Sequence, residues 1–225
     1  MELIPSFKAT VGVATSAGIK PVNEDAVGFS IPKDHLLNTK GAVAVVADGV
    51  STAEAGKEAA ERCVSTVLTD YYTTPETWSV KHAAQKILTP LNRKLYNLGR
   101  EIHDEARGYI TTLSFVVVKS HLAYLFHIGD SRIYRLSAET GEFTQLTRDR
   151  TSGISKDENY LIRAMGMDTN LNVDSSVVTL HSGDIFFLST DGIHDFLPEA
   201  DILQLIERHP EDYNTACLAI VNAAR

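Results

Sequence analysis

Three apolar runs in this chain each close on an aspartate beside a glycine. They are VAVVADG, ending at Asp48 and Gly49; YLFHIGD, ending at Gly129 and Asp130; and IFFLSTDG, ending at Asp191 and Gly192. A fourth acidic group, Asn23–Glu24–Asp25, lies near the N-terminus. A strand that delivers a carboxylate to its tip, next to a residue without a side chain, suits a site for hard divalent cations. Carboxylates supply the oxygen ligands that Mg²⁺ and Mn²⁺ prefer, and glycine lets the chain turn sharply and a main-chain carbonyl approach an ion. Two such ions can activate a water for phosphate-ester hydrolysis.

The 225 residues, 44% of them hydrophobic, are enough to bury a core as one domain. A net charge of −8 argues against a nucleic-acid binder, which would carry a basic face, and against an electrostatic membrane anchor. The two cysteines, Cys63 and Cys217, have no metal or redox spacing and read as reduced, buried residues of a cytoplasmic protein. No apolar run reaches the length of a spanning helix. The start, MELIPSFKAT, does not read as a signal peptide.

Residues 8–14 alternate in polarity and suit a strand, as do residues 25–31; 32–41, with Pro32, Asn38 and Gly41, read as a loop. Residues 42–47 are apolar throughout and predict a strand buried on both faces. Ser51 and Glu54 have capping-box spacing, and a helical stripe of Ala55, Ala59, Ala60, Cys63, Val64, Val67 and Leu68 follows. A second helix is expected from about Ser79 to Ala106, kinked or broken at Pro90. From Gly108 the period changes to that of successive antiparallel strands. Residues 147–166 read as an irregular functional loop, two more strands follow, and helices begin near Pro198. That order predicts an α+β fold, with antiparallel sheets covered by helices.

Seven motifs now share one pattern: K-x-x-N-E-D at 20–25, VADGV at 46–50, GYITTLSFVV at 108–117, HIGDSRIYRL at 127–136, LTRD at 146–149, IRAMG at 162–166 and LSTDGIHDF at 188–196. In this order and spacing they resemble the metal-dependent protein Ser/Thr phosphatases of the PPM (type 2C) family, bacterial in type. The resemblance implies a four-layer α-β-β-α sandwich. It also implies two Mn²⁺ or Mg²⁺ ions and hydrolysis of phosphoserine and phosphothreonine in proteins by a metal-activated water.

The resemblance assigns residues. Asp48 would bridge the two ions, with the carbonyl of Gly49 on one of them; read without the resemblance, Asp48 could instead cap the following helix, although Ser51 already supplies a cap. Glu24 and Asp25 would complete the side of the second metal, and Asp191 would bind the first. Asp130 would help hold a third, weaker ion, although Gly-Asp also makes a hairpin turn. Lys20 stands where the family usually has a phosphate-gripping arginine, and brings a point charge in place of a planar fork. Arg163 would contact substrate or brace the nearby loop. Val50 replaces a histidine that eukaryotic relatives use as a proposed acid. His127 and His194 are expected to be structural, Thr111 and Thr112 to be sheet residues near the metal floor, and Arg132 to pair with a carboxylate.

The family's last motif, a glycine-rich turn leading to Asp-Asn, does not occur in these 225 residues. The expectation is one phosphatase domain over 1–225 that is truncated at its C-terminus; the alternative is a lost ligand. That departure, with Lys20, keeps a second reading open: a pseudophosphatase or phosphoprotein-binding module with little turnover. A Ca²⁺-stabilised structural domain is a third. The expected partners are a phosphorylated protein and a Ser/Thr kinase or its targets, with neither nucleic acid nor membrane.

Overall fold

Asp25–Ser30 (β1) opens an antiparallel sheet by pairing with Ala42–Asp48 (β2), and Asp25 stands opposite Asp48 in the register. Leu113–Lys119 (β3), Leu122–Ile128 (β4) and Asp174–Thr179 (β9) complete this sheet in the order β1-β2-β3-β4-β9. A second antiparallel sheet, β10-β5-β6, contains Arg132–Leu136 (β5), Phe143–Gln145 (β6) and Ile185–Ser189 (β10). Thr151–Ser155 (β7) and Glu158–Leu161 (β8) form a separate hairpin. The helices are Asp34–Lys40 (α1), Gly56–Thr73 (α2), Val80–Ile102 (α3), Asp191–His194 (α4), Glu199–Glu207 (α5) and Tyr213–Ala223 (α6). The computed structural model describes residues 8–50, 55–102, 108–155, 158–161 and 163–225.

Strand periodicity sorts the apolar side chains into layers. On β3 and β4, Leu113, Phe115, Val117, Phe126 and Ile128 face one way, and pack on Ala59, Cys63 and Val67 of α2 and Leu88 and Leu95 of α3. Val116, Ala123 and Leu125 face the other way and meet Ile133, Phe186 and Leu188 of the second sheet. That sheet's outer residues, Leu136, Phe143, Ile185 and Phe187, pack on Ile202, Ile206 and Ile220 of α5 and α6. Three apolar layers between helices, sheet, sheet and helices make the predicted α-β-β-α sandwich.

Four local expectations need correction. Residues 8–17 join no ladder. A period-2 pattern becomes a strand only beside another strand. This stretch runs along α6 instead, where Val13 N–H donates to Asn214 Oδ1 at 3.2 Å and Gly12 lies on the Tyr213 backbone. The expected loop at 32–41 contains helix α1, which Gly41 ends by donating to the Leu37 carbonyl. α3 is not broken at Pro90, which lies on an exposed face where the Lys86 carbonyl that loses its helical donor can meet solvent. The irregular 147–166 segment contains the β7–β8 hairpin. The Ser51–Glu54 capping box lies outside the described residues, and α2 starts at Gly56 without a side-chain cap.

Candidate metal centre

Asp48 ends β2, and its backbone is gripped on both sides. Its N–H donates to Thr112 Oγ1 at 3.0 Å, and its carbonyl accepts from Thr112 N–H at 2.9 Å and from Thr111 Oγ1 at 2.8 Å. The threonine pair is thus sheet floor, as expected. Gly49 follows where no side chain fits: an added Cβ would lie 2.3 Å from the Gly56 carbonyl carbon. This close approach brings the start of α2 against the tip of β2. Gly49 N–H donates to the Glu24 carbonyl at 3.2 Å, which ties the Glu24–Asp25 corner to the Asp48–Gly49 corner.

Asp25 accepts a 3.0 Å hydrogen bond from Thr190 Oγ1, at the end of β10. That contact closes the gap between the two sheets at this end of the sandwich. It brings Asp191, the first residue of α4, beside Asp25 and Asp48, and the carboxyls of Asp25 and Asp191 are both hydrogen-bond neighbours or close charges of Asp48. Lys20 Nζ lies 4.0 Å from Glu24 Oε2, and its charge reaches Asp25. Asp130, in the β4–β5 turn, stands in the field of Asp191, Asp149 and Asp195. Residues 20, 24, 25, 48, 130 and 191 therefore share one end of the molecule.

The electrostatics are those of crowded carboxyls. Burial, with Asp25 and Asp191 close by, pushes Asp48 up to about 10. Burial and the Asp191 charge push Asp130 up to about 6, and burial raises Asp25 against the opposing Thr190 hydrogen bond. Divalent cations would remove this repulsion, and all the donors are hard oxygens, so the donor set fits Mg²⁺ or Mn²⁺. Among the described residues no three acidic, histidine or cysteine side chains already close round one point.

Arg163 follows the β7–β8 hairpin. Its charge acts on Asp174 at the start of β9, a carboxylate that Arg150 Nε already binds at 2.7 Å. Arg132 pairs with Asp149 at 2.7 Å. His127 is buried between Ser114 and the Arg148 carbonyl. His194 bonds Ser189 at 3.0 Å, and burial pulls its imidazole down to about 4. Val50 packs on Ile110 and Ala164. Thr190 and Asp149 had no assigned part in the sequence reading; both sit inside motifs quoted there, but only the cross-sheet geometry gives them one.

Residues 20–223 match the sequence profile of the family described as Protein phosphatase 2C. The chain belongs to the protein phosphatase 2C family. Among its relatives is the serine/threonine phosphatase stp of Listeria innocua, 30% identical over 210 residues that cover 84% of this chain and 79% of the relative. Protein phosphatase PhpP of Streptococcus pneumoniae is 27% identical over 216 residues, 87% of this chain and 83% of the relative. The fold matches the catalytic domain of PstP solved with two manganese ions, at a TM-score of 0.73 and 23% identity, covering 96% of this chain and 89% of that one. It also matches Stp1 of Staphylococcus aureus, at a TM-score of 0.77 and 18% identity, covering 98% and 93%. For a member of the 2C family, the carboxyl cluster between the two sheets is the natural candidate for the reaction centre.

Proposed function

We propose that this chain is a protein-serine/threonine phosphatase that hydrolyses phosphoserine and phosphothreonine by a metal-dependent route. The observation that carries the reading is the meeting of Asp25, Asp48 and Asp191, from three separate parts of the chain, at one end of the sandwich. Asp48, Glu24, Asp25, the Gly49 carbonyl and Asp191 would hold two ions, and Asp130 would help hold a third, weaker one. Bound there, Mn²⁺ or Mg²⁺ would lower the pKa of a water for in-line attack on phosphorus and balance the phosphoryl charge.

The chain's own residues do the rest. Thr111 and Thr112 hold the Asp48 backbone, which would limit how far its carboxylate reorganises during the reaction. Lys20, beside Glu24, would bind a phosphoryl oxygen as a point charge. Val50 has no transferable proton, so it cannot serve as the acid that protonates the leaving oxygen. Arg163, whose charge reaches Asp174, would contact substrate or brace the 147–166 segment. Residues 1–225 would act as one domain, in the cytoplasm, on a phosphorylated protein, whether a Ser/Thr kinase or its target. No helix among the described residues is long and apolar enough to cross a membrane.

Mn²⁺-dependent hydrolysis of p-nitrophenyl phosphate tests the reading. Asp48→Asn and Asp191→Asn should each reduce turnover by about 10²-fold or more, the scale of losing a preorganised charge at a reaction centre. Full metal-dependent turnover in either variant would overturn the assignment.

A further inference from the structure

Helix α3 carries charge of the opposite sign to the rest of the chain. It has five cations, Lys81, Lys86, Arg93, Lys94 and Arg100, against one acid, Glu101, a net charge of +4 inside a chain of −8. Its apolar side turns inward, where Ala84, Leu88, Leu91 and Leu95 lie in the core. All five cations stand on the exposed side. Lys86, Arg93 and Arg100 follow one another at seven-residue spacing, close to two helical turns, so they form a nearly straight row about 21 Å long. Lys94 widens the row.

A carboxylate three or four residues away pairs with an exposed cation on a helix. α2 follows that pattern, with Lys57 3.9 Å from Glu61 and Arg62 2.6 Å from Glu58. α3 does not. The positions four residues to either side of Lys86, Arg93 and Lys94 hold His82, Thr89, Pro90, Asn97 and Leu98, none of them acidic. Among the described residues the other lysine and arginine ion pairs are Lys20–Glu24, Arg132–Asp149, Arg135–Asp184 and Arg150–Asp174, and none uses an α3 cation. Arg100 donates instead to the Tyr96 hydroxyl, at 2.7 Å. Between the cations, Pro90, Arg93, Lys94, Asn97, Leu98 and Glu101 line an open depression of about 390 Å³, with room for a side chain from outside.

An unpaired row of cations fits an anion, and its setting selects the kind. A helix that lies in a membrane surface needs its apolar side free to enter the bilayer, and here that side is taken up by the core. A nucleic-acid strand is held by stacking of its bases on aromatic side chains as well as by phosphate contacts. The only tyrosine of α3, Tyr96, is half-buried and holds Arg100, and the helix has no tryptophan or phenylalanine. The negative charge of the rest of the chain also repels a long polyanion or a charged plane, both larger than the roughly 8–10 Å over which charges act in salt. A short acidic peptide senses the row alone. At about 3.3 Å per extended residue, the row matches about six or seven residues.

We propose that the outer face of α3 is a docking surface for an acidic polypeptide segment of a partner protein, with Lys86, Arg93, Lys94 and Arg100 as its contacts. None of the carboxyl-cluster residues belongs to this surface, so it stands whether or not the chain is a phosphatase.

The test is fluorescence anisotropy of labelled hexaglutamate with the full chain. A chelator is present, so that no cation bridges the peptide to the carboxyl cluster. Hexaglutamate should bind saturably at about 50 mM salt and about ten-fold more weakly at about 300 mM. Lys86→Glu combined with Arg93→Glu should weaken binding by about ten-fold or more, because like charges then face the peptide. Both positions are exposed and glutamate is a good helix former, so the fold is kept. Lys33→Glu combined with Arg208→Glu changes the net charge equally, at exposed positions on other parts of the chain, and should stay within about two-fold of the parent. Absence of saturable binding, or equal losses in the two double variants, overturns the proposal, since net charge alone would then account for the result. Tighter binding of a short oligothymidylate or of phosphatidylserine vesicles than of hexaglutamate, lost in the α3 variant, overturns it in favour of a nucleic acid or a membrane. A parent chain that binds hexaglutamate as expected but does not hydrolyse p-nitrophenyl phosphate with Mn²⁺ supports the docking surface and counts against the phosphatase reading alone.

Discussion

Thr190 and Asp25 meet across the sheet boundary, and their single hydrogen bond has a measurable consequence. Thr190 Oγ1 donates to Asp25 and so orients a carboxyl whose pKa burial raises, while the hydrogen bond itself favours the charged form. Thr190→Val keeps the shape and removes the donor. Groups standing behind metal ligands typically contribute about 10-fold or more in affinity. Mn²⁺ binding, followed by calorimetry, should weaken by about that factor, and unchanged affinity would remove Thr190 from the site. Lys20 supports a second prediction. A hydrogen bond to a charged group contributes about 1.5–3 kcal/mol, so Lys20→Ala should raise KM for p-nitrophenyl phosphate by about 10-fold. Lys20→Arg, with its planar fork, should keep or lower it. An unmoved KM in the alanine variant would make Lys20 only a partner for Glu24.

At the scale of elements, the inter-sheet layer is the most testable. Ile133 of β5 is fully buried against Val116, Ala123 and Leu125 of the other sheet. Ile133→Ala should cost about 2–5 kcal/mol, read as a lowered urea midpoint, because neither sheet can move to fill the space. A cost near zero would mean that the two sheets are not closely packed there. This layer was legible in the sequence because a short run that is apolar throughout, as in residues 42–47, reads as a strand buried on both faces. The carboxyl corners were legible for a related reason: each stands where an apolar run stops. What the sequence hid was set by partners distant in the chain. Helix α1 has seven residues and too few turns to show a stripe. Residues 8–14 carry a strand pattern but lie against α6. The charge of Arg163 reaches Asp174, a partner no local pattern names. His127 read as structural from its strand, and its link to Arg148 depends on a chain reversal that sequence spacing does not reveal.

For the molecule as a whole, the site is a joint between two sheets. Asp25 and Asp48 belong to the five-stranded sheet, whereas Asp191 follows β10 of the three-stranded one. Crowded carboxyls at a joint repel, so the joint should be weakest where they are ionised. The sign follows from linkage. Asp48 is pushed up to about 10 in the folded chain from an ordinary 3.8, so the folded state binds more protons than the unfolded state between those values. Its contribution to stability is therefore full below about pH 4 and is lost as pH rises toward 10. Asp130, pushed up to about 6, loses its share by about pH 6. With divalent cations chelated, the melting temperature should fall steadily from roughly pH 5 to pH 9. Mg²⁺ at about 100 times its dissociation constant adds about 2.7 kcal/mol, or roughly 5–10 °C for a chain of this size. Because the ligands must be deprotonated to bind, that gain should widen as pH rises. Asp48→Asn should flatten the pH slope and remove most of the Mg²⁺ gain together, since one carboxyl causes both. A chelated protein whose melting temperature rose with pH, or an Asp48→Asn variant that kept the full Mg²⁺ shift, would show that these acids do not share a cation across the sheets.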